Sequence, residues 1–176
     1  MALVAFLRGV NVGGHRRFRP SLLAKQLAHY DVVNIGATGL LVAHGANKPA
    51  AFRRELLAAV PFEVELALCD GKDVLDALAE DPFAEYAGSD VVPFVSIAID
   101  MPKKAPQRLP IDIPGSGEWF VRVLGAKHRF FFGVYRRHVK TIGFLGRLDT
   151  ALGLRVTTRN WNTMRLVSRA LDAARD

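Results

Sequence analysis

Cysteine is all but missing. Cys69 is the single cysteine in 176 residues, so no internal disulfide can form and a reducing cytosol is the expected compartment. No apolar run reaches the roughly 18 residues of a membrane helix, so no membrane partner is expected. The apolar start, Met1 to Leu7, is short and has no basic leader, and reads as a strand rather than a signal peptide. The five histidines, His15, His29, His44, His128 and His138, stand at neither H-x-H nor H-x-x-x-H spacing, so no metal is expected. The glycines fit neither G-x-G-x-x-G nor G-x-x-x-x-G-K-[ST], so there is no Rossmann or P-loop fingerprint and no cofactor is expected. No nucleophile stands beside a base. Cys69 is followed by Asp70, whose negative charge opposes a thiolate. The sequence therefore names no reaction.

What the chain does have is half its residues apolar and a net charge of +7 that is unevenly spread. Residues 1–88 carry 9 Lys/Arg against 10 Asp/Glu, and residues 89–176 carry 15 against 7. A basic second half points to anionic partners such as phosphates, nucleotides or nucleic acid. Arginine far outnumbers lysine and alanine is abundant, and base-composition bias alone would also produce this.

The most informative stretch is Leu7-Arg8-Gly9-Val10-Asn11-Val12-Gly13-Gly14, which opens into His15-Arg16-Arg17-Phe18-Arg19. It follows the first predicted strand, and the next helix starts only near Pro20. This connection is about twice the common length. Gly9, Gly13 and Gly14 permit positive φ and close backbone approach, and consecutive amides in such a turn can cradle an anion beside Arg8, Arg16, Arg17 and Arg19. The competing reading is a long solvated loop in which the glycines only turn the chain.

Alternation and turn residues predict the rest. Residues 2–7 form a strand apolar on both faces, hence central in its sheet. A helix runs from Pro20 to about His29 with Leu23 and Leu27 inward. Strands at 31–35 and 40–44 flank the turn Gly36-Ala37-Thr38-Gly39. Asn47 is the expected cap of a helix carrying Phe52, Leu56 and Ala59 and ending at Pro61. A strand follows at 63–68, then a helix capped by Asp70 with Asp73 as its reciprocal partner. This is the β-α-β-β-α-β split unit, in which the first two strands flank the third, so the 9–19 loop and the 36–39 turn should be neighbours. Residues 63–90 hold nine acids and one lysine, a solvated acidic face.

The second half predicts a buried strand at 91–100 and four prolines between Met101 and Gly115, which argue against a crossover helix. A hairpin of 119–124 with 129–135 should turn across Gly125-Ala126-Lys127. A helix over 141–151 is weakened by Gly143 and Gly146, and a short strand covers 155–158. The last helix, 161–174, places Trp161, Met164, Ser168 and Leu171 inward and Arg165 and Arg169 outward. Either Asn160 or Thr158 caps it, and an anion near Arg159 would be favoured by the helix N-terminus. The expected class is α+β with two ferredoxin-like halves, antiparallel sheets and an added C-terminal helix. The division is residues 1–80, a connection at 81–90, and 91–176.

Leu7 to Gly14 and Thr158-Arg159-Asn160-Trp161-Asn162-Thr163 together resemble a bacterial family known as domain of unknown function 1697. Its members open with L-R-G-I-N-V-G-G after a strand, carry a central Q-S-G-N turn, and close with T-R-N-W-N-T before the last helix. The first motif matches here with Val10 for isoleucine, and the last matches completely. In the middle, Ala37-Thr38-Gly39-Leu40 keeps the glycine and loses the family's Gln and Asn. The resemblance implies the same α+β fold and carries no established activity. Arg8, Gly9, Asn11, Gly13, Gly14, Gly39, Arg159, Asn160 and Asn162 are the candidate ligand-binding residues.

The leading expectation is a cytosolic protein that binds a small anionic ligand, a phosphate or nucleotide, at the loop after the first strand. The alternatives are nucleic-acid binding through the basic second half, with Phe130, Phe131, Phe132 and Tyr135 as stacking faces, and a protein-interaction module in which Arg8 and Asn11 only stitch the chain together. Nothing in the sequence sets the oligomeric state.

Overall fold

β1 (Leu3–Leu7) is apolar at every position and buried at every position because it is an inner strand. It lies antiparallel between β3 (Leu40–Ala43) and β4 (Leu66–Asp70), and β2 (Val32–Ile35) completes the order β2-β3-β1-β4. β1 and β2 thus flank β3, the order expected of the split unit. Leu3, Ala5 and Leu7 pack with Leu23, Leu27, Phe52 and Leu56, and Val4 and Phe6 on the other face are also fully buried. The computed structural model describes residues 2–12, 14, 17–104 and 108–173. The expectations placed on Gly13, His15, Arg16, Pro106 and Ala174 lie outside the described residues. Among the described residues, no helix is long and apolar enough to cross a membrane, and no group of three or more His, Cys, Asp or Glu could hold a metal ion.

The chain forms two units, Met1–Leu78 with Asn162–Asp176, and Ala79–Trp161. In the first, α1 (Pro20–Gln26) begins on its proline and stops earlier than predicted. A 3-10 turn, Ala28–Tyr30, takes its place, and Asp31 at φ +50° ends it. α2 (Pro49–Ala59) is not capped by Asn47. Lys48 holds the cap position with no side-chain hydrogen bond, while the Asn47 N–H donates to the Gly45 carbonyl. β4 starts three residues later than predicted because its register is set by β1, from Leu3 opposite Asp70 to Leu7 opposite Leu66. Cys69 therefore sits inside the strand, buried opposite Val4, rather than at a strand end. Asp70 caps α3 (Gly71–Leu78) as expected, its Oδ1 accepting from the Lys72 N–H at 2.9 Å.

The added helix α6 (Trp161–Asp172), expected with the second half, belongs to the first unit from Asn162 onward. Its buried stripe is Met164, Val167 and Leu171. A Cβ on Gly71 would stand 2.8 Å from Leu171 Cδ2 and 3.0 Å from the Ala2 carbonyl, so only glycine lets this helix close on the start of α3. Val167 takes the inward place expected for Ser168, which is half-buried.

The second unit holds a five-stranded antiparallel sheet in the order β6-β7-β8-β5-β9. β5 (Val91–Ala98), β7 (Val121–Lys127), β8 (Phe130–Arg136) and β9 (Val156–Asn160) repeat the strand order of the first sheet, and β6 (Ile111–Ile113) is an extra edge strand. The proline-rich segment before β6 contains no helix among its described residues. The hairpin turn is His128-Arg129 and not Gly125-Ala126-Lys127. His128 takes φ +54°, and Gly125 lies within β7 where the register slips against β8. The helix predicted over 141–151 is two short ones, α4 (Thr141–Leu145) and α5 (Leu148–Leu152), parted at Gly146. Phe131 joins Phe94, Val121 and Leu148 on one face of this sheet, while Phe132 meets Phe83 and Trp161 edge-on.

Asp112 ties the edge strand to its neighbour. Arg122 donates from Nε and Nη2 to its two carboxylate oxygens at 2.6 and 2.8 Å. That hydrogen bond holds the Asp112 carboxyl below its ordinary range. Its contribution is complete above the unfolded carboxyl pKa, roughly 3.9, and is lost as pH falls through the lower folded value. Melting temperature should thus drop more steeply in acid for the native chain than for Asp112→Asn, and parallel acid profiles would refute this.

Candidate functional site

The loop after β1 meets the 36–39 turn, as the strand order requires. Asn11 makes the junction. Its Nδ2 donates to the carbonyl oxygens of Phe18 at 3.0 Å and Ala37 at 2.7 Å, and its Oδ1 accepts from the Phe18 N–H at 2.9 Å. The Phe18 N–H can only donate, which fixes the orientation of the amide. Asn11 also takes φ +55°, a left-handed conformation that Asn tolerates better than most residues. One amide thus closes residues 11 to 18 into a ring and fastens that ring to the turn. Both of its donor hydrogens and its oxygen are directed at backbone, so Asn11 frames the loop.

Gly39 completes the junction. The Leu7 N–H donates to its carbonyl at 2.9 Å, and it holds φ +72°. A Cβ there would lie 2.6 Å from Val10 Cγ2 and 2.8 Å from Leu7 Cβ. This is a packing reason for glycine at this position, whatever stands on either side of it. Ala37 contributes only its carbonyl to Asn11, a contact that survives the absence of the family's Gln.

Arg8 turns to the other neighbour of β1. Its N–H donates to the Glu65 carbonyl at 2.9 Å, and its Nη1 lies 3.1 Å from Glu65 Oε2. Both side chains are partly exposed. Gly9 at φ +67° and Gly14 at φ +80° take the positive φ that only glycine adopts freely. Arg17 Nη2 lies 3.4 Å from the position a Gly14 Cβ would occupy, so the guanidinium lies over that glycine. Arg17 and Arg19 are exposed at the loop.

Arg159 and Asn160 lie in β9, which extends past the predicted end at Thr158. Thr158 does not cap α6. Its hydroxyl meets Ser96 Oγ at 2.7 Å across the β5–β9 pair. Arg159 Nη1 donates to Thr157 Oγ1 at 2.9 Å and to the Thr158 carbonyl at 2.8 Å. Burial lowers its guanidinium to about 10, which leaves it cationic at neutral pH. Asn162 is exposed in the first turn of α6. Phe130, Phe131 and Phe132 are buried, so they are core and not stacking faces.

Among curated proteins, none matches this sequence. A solved structure does share its fold: a conserved bacterial protein of Streptococcus pneumoniae, SP0830, aligns at a TM-score of 0.66 with 16% identity, covering 97% of this chain and 98% of the other. At that identity the likeness concerns the fold alone. The model of the family described as protein of unknown function (DUF1697) matches residues 1–110, which take in the Asn11 loop, the Gly39 turn and the Glu65 partner of Arg8. The chain belongs to the domain of unknown function 1697 family.

Proposed function

We propose that this chain binds a small anionic ligand, a phosphate or a nucleotide, at the loop after β1. The observation that carries the reading is the Asn11 amide, which joins the backbone at 18 and 37 and so holds the loop shaped before any ligand arrives. A loop ordered in advance spares the ligand that cost. Gly9 and Gly14 then present backbone without side chains in the way, and Arg17 beside Gly14 supplies the charge. Arg8, paired with Glu65, and Asn11, bonded to backbone, belong to the same stretch. Arg159, Asn160 and Asn162 are carried in the proposal as candidates of their own stretch.

The interaction-module reading draws on the same Asn11 bonds, since stitching is what it requires of that residue. Thermal melting separates the two. A ligand at a hundredfold excess over its dissociation constant adds ~2.7 kcal/mol to the folded state. Pyrophosphate or a nucleotide should therefore raise the melting temperature by several degrees, and Arg17→Ala should abolish the rise without altering the ligand-free melt. No rise with any anion at millimolar concentration would leave the stitching reading. A rise with oligonucleotides alone, fading with salt, would favour nucleic acid.

A further inference from the structure

A concave surface apart from the loop after β1 lies within the unit Ala79–Trp161. Where β5 and β7 begin and β8 ends, an open cleft of about 400 Å³ is lined by aromatic rings and by arginine. That volume is in the range of small-ligand sites. Trp119, Phe120, Tyr86 and His138 form the aromatic part of the lining, and Arg136 and Arg137 supply the cations. We propose that this cleft binds a flat aromatic ring carrying an anionic group, of the chemical class of a nucleoside monophosphate.

Three observations lead there. The Arg136 guanidinium lies 4.3 Å from the centroid of the Trp119 ring, with that of Arg122 at 4.4 Å. A guanidinium resting on an indole is held in place, so its donors are aimed before binding. Thr141 Oγ1 donates to the Arg136 carbonyl at 2.6 Å and fixes the backbone at the same point.

The second observation is how the cations are paired. Arg136 meets Glu118, and Arg137 lies 3.3 Å from Asp90. In each pair the acid is the more exposed member, 65% against 37% and 85% against 67%. Exposed pairs of this kind contribute little. The acids can swing into water while Arg136 stays on the Trp119 ring, and a phosphate can take their place with a fuller set of charge-assisted hydrogen bonds.

The third is His138. Its Nδ1 accepts from the Lys140 N–H at 3.1 Å, so in the neutral ring the proton sits on Nε2. The ring packs on Phe120 at 5.0 Å, and Phe120 is stacked in turn on Phe144. The imidazole is thus a fixed flat surface with one donor, suited to an aromatic ring with polar edges.

The test is an NMR titration of the full chain with adenosine monophosphate, read at the two indole N–H signals and assigned with Trp119→Phe. The Trp119 signal should move and saturate while that of Trp161 stays. Arg137→Ala, a change at an exposed side chain, should weaken the binding by about tenfold or more with an unchanged melt. Adenosine should bind more weakly than its phosphate. Arg17→Ala should leave the titration as it was, which keeps this site separate from the loop. The proposal is overturned if the Trp119 signal does not saturate, if Arg137→Ala binds as the native chain does, if inorganic phosphate alone reproduces the shift, or if only oligonucleotides produce it.

Discussion

Alanine at Gly133 should destabilise the second unit by about 3 kcal/mol or more, with the urea midpoint falling and the slope preserved. Gly133 lies in β8 between Phe94 of β5 and Val123 of β7. A Cβ there would stand 2.4 Å from Phe94 Cζ and 2.6 Å from the Arg122 carbonyl oxygen. The first contact could be eased only by turning a fully buried ring that also packs against Tyr135. The second is with backbone inside a sheet and cannot be eased without spreading the strands. Gly125 in the same hairpin is the control. Nothing lies within 4 Å of its Cβ position, so Gly125→Ala should change stability by about half a kcal/mol or less. Equal effects at the two glycines would mean that the packing of Phe94 over Gly133 is wrong.

Removing the Asn11 side chain should cost the first unit about 3 kcal/mol, measured by chemical unfolding. Three hydrogen bonds to backbone are lost at a net of about 1 kcal/mol each at most, since one of them lies at an exposed position. Alanine at φ +55° adds strain of about 1 kcal/mol. Asn11→Gly removes the same bonds without that strain and should be the milder change by about that amount. Asn11→Asp keeps an acceptor for the Phe18 N–H, yet turns a carboxylate toward the carbonyls of Phe18 and Ala37, and should recover little. A near-neutral Asn11→Ala would contradict the role of this residue as the frame of the loop.

Strand order was legible in the sequence because the pattern is strong where burial is complete. Residues 3–7, apolar on both faces, announced an inner strand, and the adjacency of the 9–19 loop and the 36–39 turn followed from topology. Register was not legible. Glu63 to Asp70 alternates well enough to begin a strand anywhere, and only pairing with β1 selects Leu66 as the start. Gly125 carries the ordinary turn signal, but positive φ at His128 made the turn and left the glycine in a strand. The three contiguous phenylalanines, offered as stacking faces, are all buried, on both sides of β8.

The candidate loop was visible as glycine and arginine, while the partners of its side chains were not. Side-chain type marks Asn11 as a hydrogen-bonding group without saying that backbone takes up its polar atoms. Arg8 likewise reads as a free cation until Glu65, just before β4 and far along the chain, is brought beside it. The cleft of Trp119, Arg136 and His138 has no motif at all, being assembled from the start of one strand and the end of another.

The most direct test of the loop as an anion site is a titration of isotopically labelled protein with pyrophosphate, followed at backbone amides and at the Arg17 Nε signal. The account predicts that Gly9, Gly14 and Arg17 move together with one saturating affinity, while the Asn11 side-chain amide stays in place because Phe18 and Ala37 still hold it. Saturating shifts elsewhere with these three unmoved, or no saturation at all, would contradict it.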